Sequence, residues 1–268
     1  LKKIIKIMST IMLIMLSLNL KSCETKKDNY FDYLKNSNVE LISIQNVRDK
    51  SFKFLMTDKK AINNMSDLLS KAEVSETKSD LDPDYIFQIK IGDKIEEYNY
   101  IVGDYNGNFY NDERIFTMPK RLDEAIMQNL SIIRKPRDFE YIYYNTILDT
   151  IKLNKEQLTD KKVGIDIYQD IDCLKYILSS ELKEFINNAK EILPNVELVE
   201  KDTSNFDVVI GIKNRGHSTT VYKSNIKIEN KIDKSEDNYY VIGEYEFNEW
   251  DYKVYHEKEV PREIKNKW

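Results

Sequence analysis

The sequence predicts an α+β chain of two small domains. Each is a mainly antiparallel sheet with helices packed on one face, and the second contains one βαβ crossover. Three observations predict it. Short segments rich in Ile, Tyr and Phe alternate apolar and polar residues, the period of a half-buried strand. Between them lie stretches with apolar residues three and four apart, the period of an amphipathic helix. In the second half the order strand, long helix, strand implies a parallel, right-handed crossover.

Val39–Val47 (VELISIQNV) and Ser51–Met56 (SFKFLM) read as strands. Ala61–Ala72 places Ile62, Met65, Leu68 and Leu69 on one helical face. Residues 74–81 are polar and read as a loop. Tyr85–Ile91 (YIFQIKI) puts Tyr85, Phe87, Ile89 and Ile91 on one side, Gly92-Asp93 marks a turn, and Glu96–Val102 pairs back across it. Arg114–Met118 is a further strand. Pro119 then starts a helix, Lys120–Ile132, where its missing N–H costs nothing. Pro136 marks a domain boundary.

Phe139–Leu153 reads as a helix with a broad apolar face, from which Ile142, Thr146 and Asp149 are offset. Lys162–Ile167 is strand-like. Asp172–Leu193 reads as one long helix with Asp172 as its N-cap and Pro194-Asn195 as its stop. Val196–Val199 and Asp207–Ile212 follow as strands. Thr219–Ile228 and Tyr239–Tyr255 are long, aromatic β segments joined by a charged turn near 233–238. The expected domains span residues 38–135 and 136–268.

The N-terminus carries its own pattern. Lys2, Lys3 and Lys6 form a basic start, and Ile7–Leu20 is apolar apart from Ser9, Thr10, Ser17 and Asn19. A spanning helix needs about 20 apolar residues. This shorter run suits the apolar region of a secretory signal. Leu20-Lys21-Ser22-Cys23 then resembles the lipobox of bacterial lipoproteins, although Lys21 departs from the small or apolar residue usual there. The resemblance implies a signal peptide over 1–22, a diacylated Cys23 and a tether over 23–37. Two or three acyl chains suffice for stable attachment, whereas one is marginal.

Charge and composition narrow the function. The formal net charge is −5, and losing the four lysines among residues 1–22 makes the chain more acidic. Without a basic block, phosphate backbones are poor partners, so no nucleic acid is expected. Contact with a membrane would run through the lipid, since anionic headgroups repel an acidic surface. With only Cys23 and Cys173, and only His217 and His256, the usual Cys- and His-based metal sites are out of reach. Cys173 lies in an apolar pattern and reads as a small core residue.

Asp82-Pro83-Asp84-Tyr85, then Tyr98-Asn99-Tyr100-Ile101-Val102, then Ile115-Phe116-Thr117-Met118 and a closing helix resemble the YhfM-like domain of lipoproteins from Gram-positive bacteria. The resemblance spans about residues 38–134 and implies a small α+β domain, with no activity to carry over. Residues 139–268 resemble no family that the motifs identify.

Four stretches carry candidate chemistry. Asp104-Tyr105-Asn106-Gly107-Asn108 has alternating oxygen ligands, but its glycine is misplaced for a calcium loop, and Asn106-Gly107 reads as a type I′ turn. Asp80, Asp82 and Asp84 alternate and read as a solvated loop. Trp250, Tyr252 and Tyr255 read as sheet and core aromatics. Asn214, Arg215, His217 and Ser218 form the densest stretch, just after a strand, and make the expected ligand-binding loop: Arg215 suits a carboxylate or phosphate.

These observations point to a membrane-anchored, extracytoplasmic lipoprotein acting as a non-catalytic binding or protein-interaction module. The expectation includes an envelope protein partner, no cofactor and no metal, and leaves the oligomeric state open. Two alternatives stand beside it. A solute-binding lipoprotein of a transport system would show a deep interdomain cleft lined by Arg215. An envelope hydrolase would show converging carboxylates, or His217 within reach of a base.

Overall fold

The computed structural model describes residues 30–130 and 135–265. The signal-like segment and Cys23 lie outside the described residues. No helix among the described residues is long and apolar enough to cross a membrane.

The first domain opens with a 3₁₀ turn, Tyr30–Asp32, and one helical turn, α1 (Tyr33–Asn36). Seven strands follow: β1 (Val39–Asn46), β2 (Lys53–Met56), β3 (Glu73–Val74), β4 (Tyr85–Ile91), β5 (Lys94–Tyr100), β6 (Phe109–Tyr110) and β7 (Ile115–Thr117). They form one antiparallel sheet in the order β2-β1-β4-β5-β6-β7-β3. Helices α2 (Lys59–Leu69) and α3 (Lys120–Leu130) pack on it. Alternation decides which side chains go inward: Tyr85, Phe87 and Ile89 are fully buried. The α2 N-terminus begins at Asp58, whose carboxylate accepts the Lys60 and Ala61 N–H groups at 3.0 Å.

Residues 101–108 depart from the expected type I′ turn. Gly107 has φ +60°, but Asn106 is not left-handed, and the I′ form needs both. Asp104 instead accepts the Asn106 N–H at 3.0 Å, and the fully buried Asn108 accepts the Met118 N–H at 2.8 Å. Asn108 thereby fixes this loop to the chain leaving β7, an arrangement that spacing alone does not foretell.

The second domain holds α4 (Phe139–Leu153), α5 (Lys155–Leu158), β8 (Val163–Asp166), α6 (Ser179–Ile192), β9 (Val196–Leu198), β10 (Val208–His217), β11 (Val221–Asn230), β12 (Ser235–Glu246), β13 (Glu249–His256) and α7 (Arg262–Lys265). The sheet order is β13-β12-β11-β10-β8-β9. β8 runs parallel to β9 and β10, and the rest is antiparallel. The two-domain α+β architecture with one helical crossover is therefore the one expected from the sequence.

In the first domain, residues 30–36, expected in the tether over 23–37, instead pack Phe31 and Leu34 into the core. Three elements of the second domain also differ from expectation. The long helix starts at Ser179, not near Asp172: Cys173 and Leu174 are drawn into the core by an irregular segment with a 3₁₀ turn, Leu174–Tyr176. The long segment Tyr239–Tyr255 is split between β12 and β13 by a tight turn, because Phe247 (φ 52°) and Asn248 (φ 67°) are both left-handed. Ile142 and Thr146 are buried, since α4 packs against the sheet on one side and α6 on another. Cys173 is fully buried, as its apolar surroundings imply, and burial pushes its thiol well up.

Candidate functional site

The expected loop is a strand end. Asn214, Arg215 and His217 close β10, with a register shift between Asn214 and Gly216, and Gly216 has φ +130°. Alternation sends neighbouring side chains opposite ways. Asn214 is buried and donates its amide to the Lys223 carbonyl at 3.2 Å. Its backbone N–H reaches Asp170 Oδ1 at 2.9 Å. Arg215 is exposed and donates to Asn225 Oδ1 at 3.3 Å. His217 Nδ1 lies 3.2 Å from Asn214 Oδ1. Ser218 N–H closes the hairpin on the Val221 carbonyl at 2.8 Å. Asn214 and His217 thus come together, while Arg215 bonds away to Asn225.

Beneath Asn214 lies a buried polar cluster. Asp170, Tyr143, Tyr222 and Ser224 are each at most 1% exposed. Within it Asp170 faces Tyr143 and Cys173, and Tyr222 faces Ser224 and Asn214. Burial raises the Asp170 carboxyl to about 6, with the Asn214 N–H working against the rise. The Asp170–Asn214 bond ties the segment between β8 and α6 to β10.

The three alternating aspartates part company. Asp80 is exposed and meets Lys183 at 3.0 Å, while Asp84 is fully buried, against the solvated-loop expectation. Asp84 sits where the domains meet. Its carboxylate accepts Arg48 Nη1 at 2.8 Å, the Ser179 N–H at 2.8 Å and the Val102 N–H at 2.9 Å. Arg48 also donates to the Ile177 carbonyl at 3.2 Å and to Ser179 Oγ. Burial pushes the Asp84 carboxyl up, and Arg48 with the two N–H groups pulls the other way. Helix α6 has no capping side chain of its own, so a carboxylate from the first domain supplies one. The 3₁₀ turn before α6 and the Asp82-Pro83-Asp84 step thus share one contact.

Concavities lie elsewhere among the described residues. A groove of about 330 Å³ opens between α4 and α6. Its α4 wall is Glu140, Tyr141, Tyr144, Asn145 and Leu148, and its α6 wall is Glu181, Glu184, Phe185 and Asn188. Tyr144 and Phe185 stack at 4.7 Å. Tyr144 is 6% exposed, and its hydroxyl has no partner among the described residues. Burial and the Glu140 charge raise the Glu181 carboxyl to about 8, with Lys135 opposing. A second groove, about 310 Å³, lies by the junction and is lined by Arg48, Asp80, Lys183 and Lys190, not by Arg215. Trp250 is in the core with its Nε1–H on the Arg137 carbonyl at 2.8 Å, as the sheet-packing reading expects. No three His, Cys, Asp or Glu side chains among the described residues converge as metal ligands.

The sequence does carry a signal for the first groove. Glu140 and Tyr144, like Glu181 and Phe185, stand four apart, so each helix sets an acid one turn before an aromatic ring on the same face.

Comparison with known proteins bears on the first half alone. The family described as YhfM protein matches residues 35–136. The first domain is YhfM-like. The match ends at the Pro136 boundary read from the sequence, and it encloses Arg48 and Asp84, so the YhfM-like domain brings both charges of the junction. No curated protein and no solved structure matches the chain.

Proposed function

We propose that the chain is a non-catalytic binding module, held on the outer face of a bacterial cytoplasmic membrane by lipid on Cys23, and that the α4–α6 groove takes its ligand. The observation that carries this reading is the groove itself: an open concavity near the lower end of the ligand-pocket range, with Glu140, Glu181 and Glu184 on its walls and the stacked Tyr144 and Phe185 rings beneath. The basic start, short apolar run and Cys23 support the anchor. The docked YhfM-like domain serves as a rigid support for the second domain.

Native mass spectrometry of the full chain taken from its membrane tests the site. A small molecule is expected in the wild type and lost in Asn188→Trp, which fills the groove from an exposed position without touching the core. An unchanged ligand in that variant would place binding elsewhere. Fatty-acid labelling tests the anchor: Cys23→Ser is expected to lose the label and leave the membrane.

A second reading, an envelope hydrolase, draws on the same carboxylates. An acid held protonated beside others is the arrangement that acid–base hydrolysis uses. Turnover of the retained molecule would favour it, whereas an intact ligand supports binding. Solute capture for transport is less well supported, because the Arg48–Asp84 contact pins the line about which two lobes would close.

A further inference from the structure

We infer that β13 is an interface between two copies of this chain, joined edge to edge about a two-fold axis through Tyr252. The inference stands apart from the groove and its ligand. β13 ends the second sheet and bonds β12 on one side only. A free strand edge is a template for another strand, and chains commonly blunt it with a bulge, a proline or an inward charge. β13 has none of these along its middle: its register with β12 runs unbroken, and the side chains turned to the core are Trp250, Tyr252 and Val254. The Glu257 N–H donates to the Asn238 carbonyl at 2.9 Å, which continues the β12–β13 ladder and sets its phase. Every second residue from Glu249 to Tyr255 therefore bonds β12, and the backbone groups of Trp250, Tyr252 and Val254 point away from it. No partner meets them among the described residues. His256, next in that series, spends its carbonyl on the Glu259 and Val260 N–H groups at 2.8 and 3.1 Å, which closes the edge at that end.

Charge chooses the occupant and the register. Asp251 and Lys253 stand on the other face of β13, both exposed. Asp251 lies directly across from Glu244 of β12, a like-charge pair, and Lys253 lies across from Ile242. None of these three charges has an ion-pair partner among the described residues. Ile264 of α7 lines a concavity with Asp251 and Lys253 on that face and leaves the edge groups unbonded. With the two-fold axis through Tyr252, antiparallel pairing sets Asp251 of each copy opposite Lys253 of the other, in the non-hydrogen-bonded positions where side chains come closest. Tyr252 then exchanges hydrogen bonds with its own copy, and Trp250 with Val254 across the seam, so each outward N–H finds a carbonyl. Moving the axis by one residue either way sets Asp251 against Asp251 or Lys253 against Lys253, and like charges directly opposite destabilise a strand pair. An axis through Val254 would need the His256 carbonyl, which is already spent. The strand is its own complement in one register, the condition for an isologous two-fold interface. On the core side the half-buried Tyr252 and Val254 are covered, and the two sheets become one.

Sedimentation equilibrium of the full chain in density-matched detergent tests this. The wild type is expected to dimerise reversibly. Asp251→Lys and Lys253→Asp change exposed side chains, and each alone sets like charges against each other at both ends of the seam. Each is expected to weaken the dimer about tenfold or more, with the monomer still folded by circular dichroism. Mixed in equal amounts, the two variants pair a lysine with an aspartate at both positions, and dimerisation is expected to return. A monomeric wild type overturns the inference and leaves the edge to a strand of another protein. Undiminished dimerisation of either variant alone overturns it too, since the copies would then meet elsewhere. So does a mixture that stays monomeric.

Discussion

Replacing Asp84 with alanine is expected to lower stability by about 3–5 kcal/mol, the usual cost of breaking a buried ion pair from one side. For a chain of this size that is on the order of 10 °C in melting temperature. The loss has three parts. The Arg48 guanidinium stays buried without its carboxylate. The Val102 N–H loses its acceptor inside the first domain. Helix α6 loses the group that accepts its Ser179 N–H. Only the first of these is electrostatic in the pairwise sense. The double variant Arg48→Met, Asp84→Leu should therefore recover part of the loss, since it removes the stranded charge but leaves both N–H groups unpaired.

Calorimetry separates this from a local defect. Because Asp84 serves both domains at once, the wild type is expected to melt in one transition and Asp84→Ala in two. Leu178 packs into the first domain's core, and Ser180 Oγ reaches the Val102 carbonyl at 3.3 Å, so some docking contact survives. A single, barely shifted transition in Asp84→Ala would show that the ion pair contributes little to docking.

The same residue shows where the sequence stops being legible. Tyr85, Phe87 and Ile89 announce a strand because alternation is local, and β4 spans the very residues its pattern predicts. Asp84, one step earlier, reads as part of a polar loop. Its burial depends on Arg48, 36 positions back, and on Ser179, 95 positions on, and no local period encodes either. The start of α6 failed for the same reason: Asp172 has the right chemistry for an N-cap, but the cap comes from another domain. The Asn214–Ser218 stretch is hard to read for a different reason. Its residue types suit binding, yet strand alternation separates Asn214 from Arg215, and a run of polar letters does not show that. The groove was half legible. Acid and ring four apart are written on each helix, whereas the facing of α4 and α6 is a tertiary fact.

That facing has a thermodynamic consequence: stability is expected to fall as pH rises from about 4.5 to 8. The Glu181 carboxyl, 4.5 in its ordinary state, is raised to about 8 in the fold. Below 4.5 it is protonated in both folded and unfolded chains, and no penalty arises. Between the two values the folded chain keeps a proton that the unfolded chain releases, so stability declines with pH. Above 8 the folded chain carries the charge beside Glu140, and the penalty is complete. Asp170 adds the same sign lower down, from 3.8 to about 6. Glu181→Gln places a permanently neutral group in the groove and should be more stable than wild type by about 1–2 kcal/mol at pH 8.5, after allowance for the solvent that reaches this half-buried side chain. Near pH 4 the two should melt together. Asp170→Asn keeps an acceptor for the Asn214 N–H and should flatten only the lower limb. Melting temperatures recorded from pH 4 to 9 decide the matter: curves for wild type and Glu181→Gln that run parallel throughout would show that the groove does not hold that proton. A gap that opens with pH would locate in Glu181 the cost of burying a charged carboxylate beside Glu140.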